Sequence, residues 1–370
     1  MALLFCEHFD GYDTTAKYRA AGGYISGGGT YEPAAGRFGG GAARAAALST
    51  GHIRLLKQAP AAGSTLRMAY HIRCLLTGFS VTGTRPILQL RNGTPDRFYS
   101  HWGYDFGFAG SNGLYHTRFD DAQATGQIVS GRPPTRTRGI NDGNWHHVET
   151  ALQVSTTSGS ARMWIDGSEI IEQTVVSGDT SDAVCGDFDS FDRVVIAGCN
   201  SNSTAGNGGN LLWIDDLIIW DDSGADFTGH LPGEHRLRRV LPTADGALSQ
   251  WVPNAGANFA AVDDPTQDDD ATYVAATTSG QVDDYRTASM GWTPASIIGV
   301  QVESVARIDS GTQAWRNRLK DSGGTVRNGA ARTATTSYVK AEDFCGLNPA
   351  TGNAWSKANI EASEFGVEFV

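Results

Sequence analysis

At 370 residues the chain is longer than one ordinary domain and could bury two cores, so two domains are expected. Its 46 glycines, its many Ser/Thr/Asn/Asp clusters and the scarcity of Leu/Glu/Lys heptads argue against a helical protein and for a turn-rich all-β one. A formal charge of −11 excludes a broad phosphate-binding face, which needs clustered cations, and no window offers the roughly 18 uninterrupted apolar residues of a membrane span.

Met1-Ala-Leu-Leu-Phe-Cys6 has no basic residue ahead of its apolar run and passes at once into the acidic Glu7-His-Phe-Asp10, so it reads as an opening strand rather than a signal peptide. A glycine-rich stretch from Gly22 to Gly41 follows. Its runs Gly27-Gly-Gly29 and Gly39-Gly-Gly41 lack the Gly-Lys-Ser/Thr ending of a phosphate loop and read as turns. Leu66, Met68, Tyr70, Ile72 and Cys74 then alternate with Arg67, His71 and Arg73, the pattern of a strand with one buried face. Further strands are expected at 85–91, 113–117, 145–155, 162–169, 193–197 and 211–220. Within Arg97-Phe-Tyr-Ser-His-Trp-Gly-Tyr104, aromatic faces with polar tips make His101, Trp102 and Tyr104 candidate glycan contacts, core packing being the competing reading. The basic cluster Arg132-Pro-Pro-Thr-Arg-Thr-Arg138 reads as a loop over an acidic surface.

Asp142-Gly-Asn-Trp-His-His-Val-Glu149, with Arg162-Met-Trp-Ile-Asp-Gly167 after it, reads as a strand, a polar turn and a returning strand. His146, Val148, Thr150, Leu152 and Val154 take one face, and His147, Glu149, Ala151, Gln153 and Ser155 the other. Asp166-Gly167 opens the next turn with residues that tolerate positive φ. Because His146 and His147 diverge across the strand, they do not form a two-histidine metal site. Leu211-Leu-Trp-Ile-Asp-Asp-Leu-Ile-Ile-Trp-Asp-Asp222 is apolar on both faces and belongs at the centre of a sheet. The turn-forming Ser223-Gly-Ala-Asp-Phe-Thr-Gly229 beyond it marks a boundary, giving domains at 1–224 and 225–370.

In the second half, residues 229–290 are polar and poor in periodicity and include the acidic Asp263-Asp-Pro-Thr-Gln-Asp-Asp-Asp270. They are expected to run along a neighbouring subunit or to form a loop over their own sandwich. Val300, Val302, Ala306 and Ile308 mark a strand. Glu364-Phe-Gly-Val-Glu-Phe-Val370 reads as a terminal, sheet-bound strand with Phe365, Val367 and Phe369 on one face.

No catalytic residue is assigned. A retaining glycosidase needs two carboxylates about 5 to 5.5 Å apart. Asp215 and Asp216 are adjacent and therefore read as facing opposite sides of a strand, while Glu364 and Glu368 are too widely spaced. All four read as solvated or strand-edge carboxylates. No Gly-x-Ser-x-Gly elbow marks a nucleophile. Cys6, Cys74, Cys185, Cys199 and Cys345 fit neither a zinc pattern nor a disulfide framework and read as buried thiols.

The Trp145-His-His-Val148 hairpin with Trp164-Ile-Asp-Gly167 resembles the laminin-G and pentraxin branch of the concanavalin-A-like jelly rolls. With the opening strand, Gly36-Arg-Phe-Gly-Gly-Gly41 and Trp213-Ile-Asp-Asp216, it looks like the lectin-like jelly roll of many tailed-bacteriophage structural proteins. Gly246-Ala-Leu-Ser-Gln-Trp-Val-Pro-Asn-Ala-Gly256, Asp269-Asp-Ala-Thr-Tyr-Val274, Asp283-Asp-Tyr285, Val300-Gln-Val302 and Asn348-Pro-Ala-Thr-Gly-Asn-Ala-Trp355 extend that resemblance over nearly the whole chain.

The resemblance implies two antiparallel β-sandwich (jelly-roll) domains, with the closing strand lying beside the opening one. It also implies a non-enzymatic virion component of a tail, neck, fibre or capsid decoration, assembled in the bacterial host cytoplasm. The expected partners are other virion proteins, copies of the same chain and a host surface glycan; nucleic acid and membrane insertion are not expected. A glycan-binding adhesin acting through the first domain is the alternative, and a polysaccharide hydrolase is disfavoured by the missing carboxylate pair. No cofactor is expected. Calcium, which laminin-G-like domains often bind at a loop edge, would draw on Asp263, Asp264, Asp182, Asp187 or residues 268–270, none in the register of a dedicated loop.

Overall fold

The computed structural model describes residues 2–20, 29–46, 50–58, 64–75, 83–92, 97–106, 113–117, 142–153, 160–174, 191–197, 211–223, 229–231 and 233–370. The chain forms two compact units, Met1–Arg19 with Gly23–Leu237, and Ala20–Gly22 with Arg238–Val370. Both are antiparallel β structures, as the turn-rich composition requires.

The first unit contains β1 (Ala2–Glu7), β2 (Gly29–Glu32), β3 (Ala42–Ala46), β4 (Thr50–Gln58), β5 (Thr65–Leu75), β6 (Gly83–Asn92), β7 (Arg97–Phe106) and β8 (Gly113–Thr117). It continues with β9 (Trp145–Gln153), β10 (Ser160–Ile165), β11 (Ser168–Thr174), β12 (Phe191–Ala197) and β13 (Leu211–Asp221). Among the described residues one sheet has the order β11-β10-β9-β5-β13-β3-β2, with β1 also on β13, and a second has the order β4-β12-β6-β7-β8. The closing strand is central, as its two apolar faces predict. Its Leu211–Ile214 half pairs β3, its Leu217–Asp221 half pairs β1, and its other edge pairs β5 on both sides of a break between Asp215 and Ile218.

The hairpin signal is also realised. Asp166 (φ 47°) and Gly167 (φ 76°) form a tight turn with both central residues left-handed. The single strand expected over 162–169 is therefore two strands, β10 and β11, broken at that turn.

The alternation of β5 places Leu66, Met68, Tyr70, Ile72 and Cys74 together, each no more than 2% exposed. The opposite face was expected to meet solvent, yet Ala69 and His71 there are also fully buried, as is Glu149 on β9. The half-buried reading of both strands is therefore corrected: a second layer covers the polar face. That layer is the segment 230–237, described at residues 230, 231 and 233–237, in which Leu231 N donates to Glu149 Oε2 (3.1 Å) and Leu237 N to Asp216 Oδ1 (2.9 Å). These bonds hold the segment to the first unit, whose compact part extends to Leu237. Residues 224–228 lie outside the described residues.

The second unit contains β14 (Pro242–Ser249), β15 (Val252–Pro253), β16 (Val274–Ala275), β17 (Val282–Thr287), β18 (Val300–Ala306), β19 (Ala314–Lys320), β20 (Val326–Asn328), β21 (Arg332–Thr333), β22 (Val339–Cys345) and β23 (Glu364–Phe369). Its main sheet has the order β14-β17-β23-β19-β20, with β21 also on β19; β15 pairs β16 and β18 pairs β22. The terminal strand is thus interior to a sheet. Met290, Leu319, Cys345, Trp355 and Ile360 form one core cluster, and Trp315, Ala334 and Ala341 another.

Residues 229–290, expected to be irregular, supply two strands of the main sheet, β14 and β17. Polar side chains order them where apolar periodicity is lacking: Asn258 Nδ2 donates to both oxygens of the fully buried Asp283 (3.0 and 2.9 Å), and Phe259 N donates to Asp245 Oδ1 (2.8 Å). Charged rungs cross the sheet from β17 through β23 to β19. Arg286 and Lys320 both bond Glu364, while Arg318 reaches Asp284 across Gly366 (2.9 Å). Gly366 is required there, because a Cβ would sit 2.0 Å from the Asp283 carbonyl oxygen. Glu364, read from the sequence as solvated, is only 6% exposed for this reason.

Candidate functional site

The polar face of the large sheet in the first unit gathers a dense cluster of chemically capable side chains. Strand register places His71 of β5 opposite His147 of β9 on one side and Asp215 of β13 on the other. Arg37 enters from the loop ahead of β3, and Glu234 and His235 come from 230–237. His71, His147 and His235 are 0%, 2% and 7% exposed, and their rings stand 5.0–5.1 Å apart, centre to centre.

The donors and acceptors interlock. Arg37 Nη1 donates to His71 Nε2 (2.8 Å), so the His71 proton sits on Nδ1, facing Asp216 Oδ2 at 3.5 Å. His235 Nε2 donates to the Asp216 carbonyl oxygen (2.6 Å), which leaves its Nδ1 to accept from His147 Nε2 (3.1 Å). Arg37 also donates its backbone N–H to Asp215 Oδ2 (2.8 Å) and forms an ion pair through Nη2 with Glu234. His147 N donates to Asp166 Oδ1 (3.0 Å).

A backbone irregularity makes this convergence possible. The pairing of β13 with β5 shifts between Asp215 and Ile218, and Asp216 is left-handed (φ 51°). The two aspartates are 4% and 3% exposed, so the solvated, strand-edge reading of Asp215 and Asp216 is corrected. They are interior carboxylates on a bulged central strand.

Burial sets the electrostatics. Desolvation, then the charges of His235, Arg37 and His147, drives His71 far below the ordinary imidazole range. Burial brings His147 down to about 4 and, with the charge of His147, His235 down to about 3. Asp215 is raised by burial, and Asp216 by burial and the charge of Asp215. Nearby, Glu149 is raised by burial although His230 Nδ1 (2.8 Å) and Arg67 Nη1 (3.6 Å) partner it. The site holds neutral imidazoles around one guanidinium, and among the described residues no group of three or more His, Cys, Asp or Glu is placed to hold a metal ion.

His146, on the other face as the alternation predicts, bonds Asp166 (2.9 Å) and Asp142 (3.0 Å). His101, Trp102 and Tyr104 lie on β7, between β6 and β8, in the five-stranded sheet; their side chains lie outside the described residues. Asp264 and Asp268 both accept from Thr272 Oγ1 (2.9 and 2.7 Å), and Asp270 is bonded to Arg307 and Tyr338. Asp182, Asp187, Cys185, Cys199 and the 132–138 cluster lie outside the described residues, while Cys6, Cys74 and Cys345 are buried thiols. Sequence reasoning missed the three-histidine cluster. Its only local hint was the polar parity of His71 and His147, because the third ring arrives 88 positions after His147.

No family model and no curated protein matches the chain. Among solved structures, the lectin UEA-II complexed with galactose is similar over 59% of this chain and 98% of its own, at 10% identity and a TM-score of 0.35. The alginate lyase A1-II′, a member of polysaccharide lyase family 7, is similar over 50% and 81%, at 13% identity and a TM-score of 0.35. A botulinum neurotoxin type C structure is similar over 54% of this chain, at 12% identity and a TM-score of 0.30, and this chain spans 41% of its length.

Proposed function

We propose that the protein is a non-enzymatic structural component of a tailed-phage virion, built from two β-sandwich domains and assembled with other virion proteins and with copies of itself. The observation that carries the non-enzymatic part is the state of the polar cluster. The nitrogens of His71 and His235 that could accept a substrate's proton already accept from Arg37 and His147, beneath the cover of 230–237. A general base needs an acceptor within reach of the substrate proton, and these two nitrogens are already occupied. The virion part is supported by the order of segments that resemble phage structural proteins. Mass spectrometry of purified particles with copy counting tests it: the chain is expected at a fixed, symmetric copy number. Its absence from particles, or release of sugar ends from host polysaccharide that one Asp or Glu substitution abolishes, overturns the reading.

A second reading, attachment to a host glycan, is favoured by a separate row. Arg73 lies in register between Trp145 and Trp213, its guanidinium 5.3 and 4.2 Å from the two ring centres, and Arg73 and Trp145 are both partly exposed. A partly exposed indole, that of Trp145, beside a guanidinium backed by the buried Trp213 suits a sugar ring bearing a carboxylate. Binding to acidic glycans on an array, lost in Arg73→Ala, is the expected result for this reading.

A further inference from the structure

We propose that segment 230–237 is an acid-operated latch: protonation of its own His235 and of His71 and His147 beneath it breaks the hydrogen bonds that hold it on the sheet and opens it. The geometry makes this a matter of donor and acceptor counting. In the closed arrangement His235 Nδ1 accepts from His147 Nε2 at 3.1 Å, and His71 Nε2 accepts from Arg37 at 2.8 Å. A proton added at His71 Nε2 sets N–H against the Arg37 N–H, and protonation of both His147 and His235 sets N–H against N–H at 3.1 Å, so each bond becomes a repulsion. His235 is the member carried by the latch, and its other nitrogen holds the Asp216 carbonyl.

The surrounding charges decide the direction. Facing the imidazoles are Arg37 from the loop before β3, Asp215 and Asp216 from β13, Asp166 from the β10–β11 turn, and Glu234 on the latch itself. Glu149 and Arg67 lie beside them and hold the latch through His230 and Leu231. The histidine values are all depressed in the closed state, so their contribution is full above about 6.5 and is lost as pH falls toward the depressed values of about 4 and 3. Asp215, Asp216 and Glu149 are raised and act oppositely, favouring the closed form as pH falls through their raised range. Below about pH 4 the carboxylates of the open form protonate as well, so that opposition stops growing and the imidazoles set the proton uptake on opening.

Hydrogen exchange of the full chain, read by mass spectrometry at pH 7 and pH 3.5 and corrected for intrinsic rates, tests the latch. Peptides covering 230–237 are expected to lose protection by about tenfold or more at the lower pH, while β19 and β23 of the second unit keep theirs. In His147→Gln/His235→Gln, which keeps hydrogen-bonding groups without titration, the opening midpoint is expected to move down by about one pH unit or more. Equal protection at the two pH values, or an unmoved midpoint, overturns the proposal. Should the variant not fold, exchange at the histidine C2 position of the unaltered chain decides instead. Titration of His147 and His235 well below 6.5 supports the latch, and titration near 6.5 with 230–237 still protected overturns it.

Discussion

His146 and His147 are neighbours with opposite electrostatics, and the cause is which face each occupies. Burial works against a charged His146 ring, but the bonds to Asp166 and Asp142 outweigh it and raise its pKa, whereas nothing comparable rescues His147. A raised value means that the stabilisation is full below about 6.5 and is lost as pH rises through the raised value. His146→Ala is therefore expected to destabilise the protein more at pH 6 than at pH 8.5, measured by urea unfolding. In the second unit, Gly366→Ala is expected to cost more than about 2 kcal/mol in the same assay, because the added methyl meets backbone on β17 that cannot withdraw. At this scale the sequence was legible as parity: alternation put His146 and His147 on the correct opposite faces. It was blind to partners, since Asp216 reaches the cluster only through a left-handed residue inside a strand, a conformation that Asp tolerates but does not announce.

β5 and β9 were readable to within a few residues because an apolar face alternating with a polar one imposes period two on the chain, and β13 because its nearly unbroken apolar run marks a strand covered on both faces. The covering element was not. Residues 230–237 have no rhythm of their own and bind through backbone N–H groups and two histidines, so their sequence resembles a linker. Their removal leaves Glu149, His147 and Asp216 without those bonds. A fragment ending at Leu237 is expected to melt cooperatively, and one ending at Ser223 to melt roughly 5 °C lower or more, by circular dichroism. Equal melting temperatures would show that the segment contributes nothing to the first unit. In the second unit β14 and β17 escaped notice for a related reason: their order comes from Asn258, Asp283 and Asp245, polar groups whose pairing has no periodicity to read.

All nine histidines of the chain fall within residues 1–237, so between pH 7 and pH 5 imidazole titration is confined to the first unit. Calorimetry is expected to show two transitions, with acidification over that range shifting the one assigned to the first unit more than the other. The two-sandwich class itself was legible in turn density and strand spacing, since those properties survive ignorance of every individual contact. Strand order was legible at one place, the pairing of the opening strand with the closing one. That pairing also has a meaning in time. Ala2 finds its partner Asp221 only after the ribosome has delivered nearly all of the first unit, so β1 must wait unzipped while the intervening strands are made. Loop closure over that span puts the first unit among slow, topologically complex folders, and a strand made well before its partner is among the last to be secured.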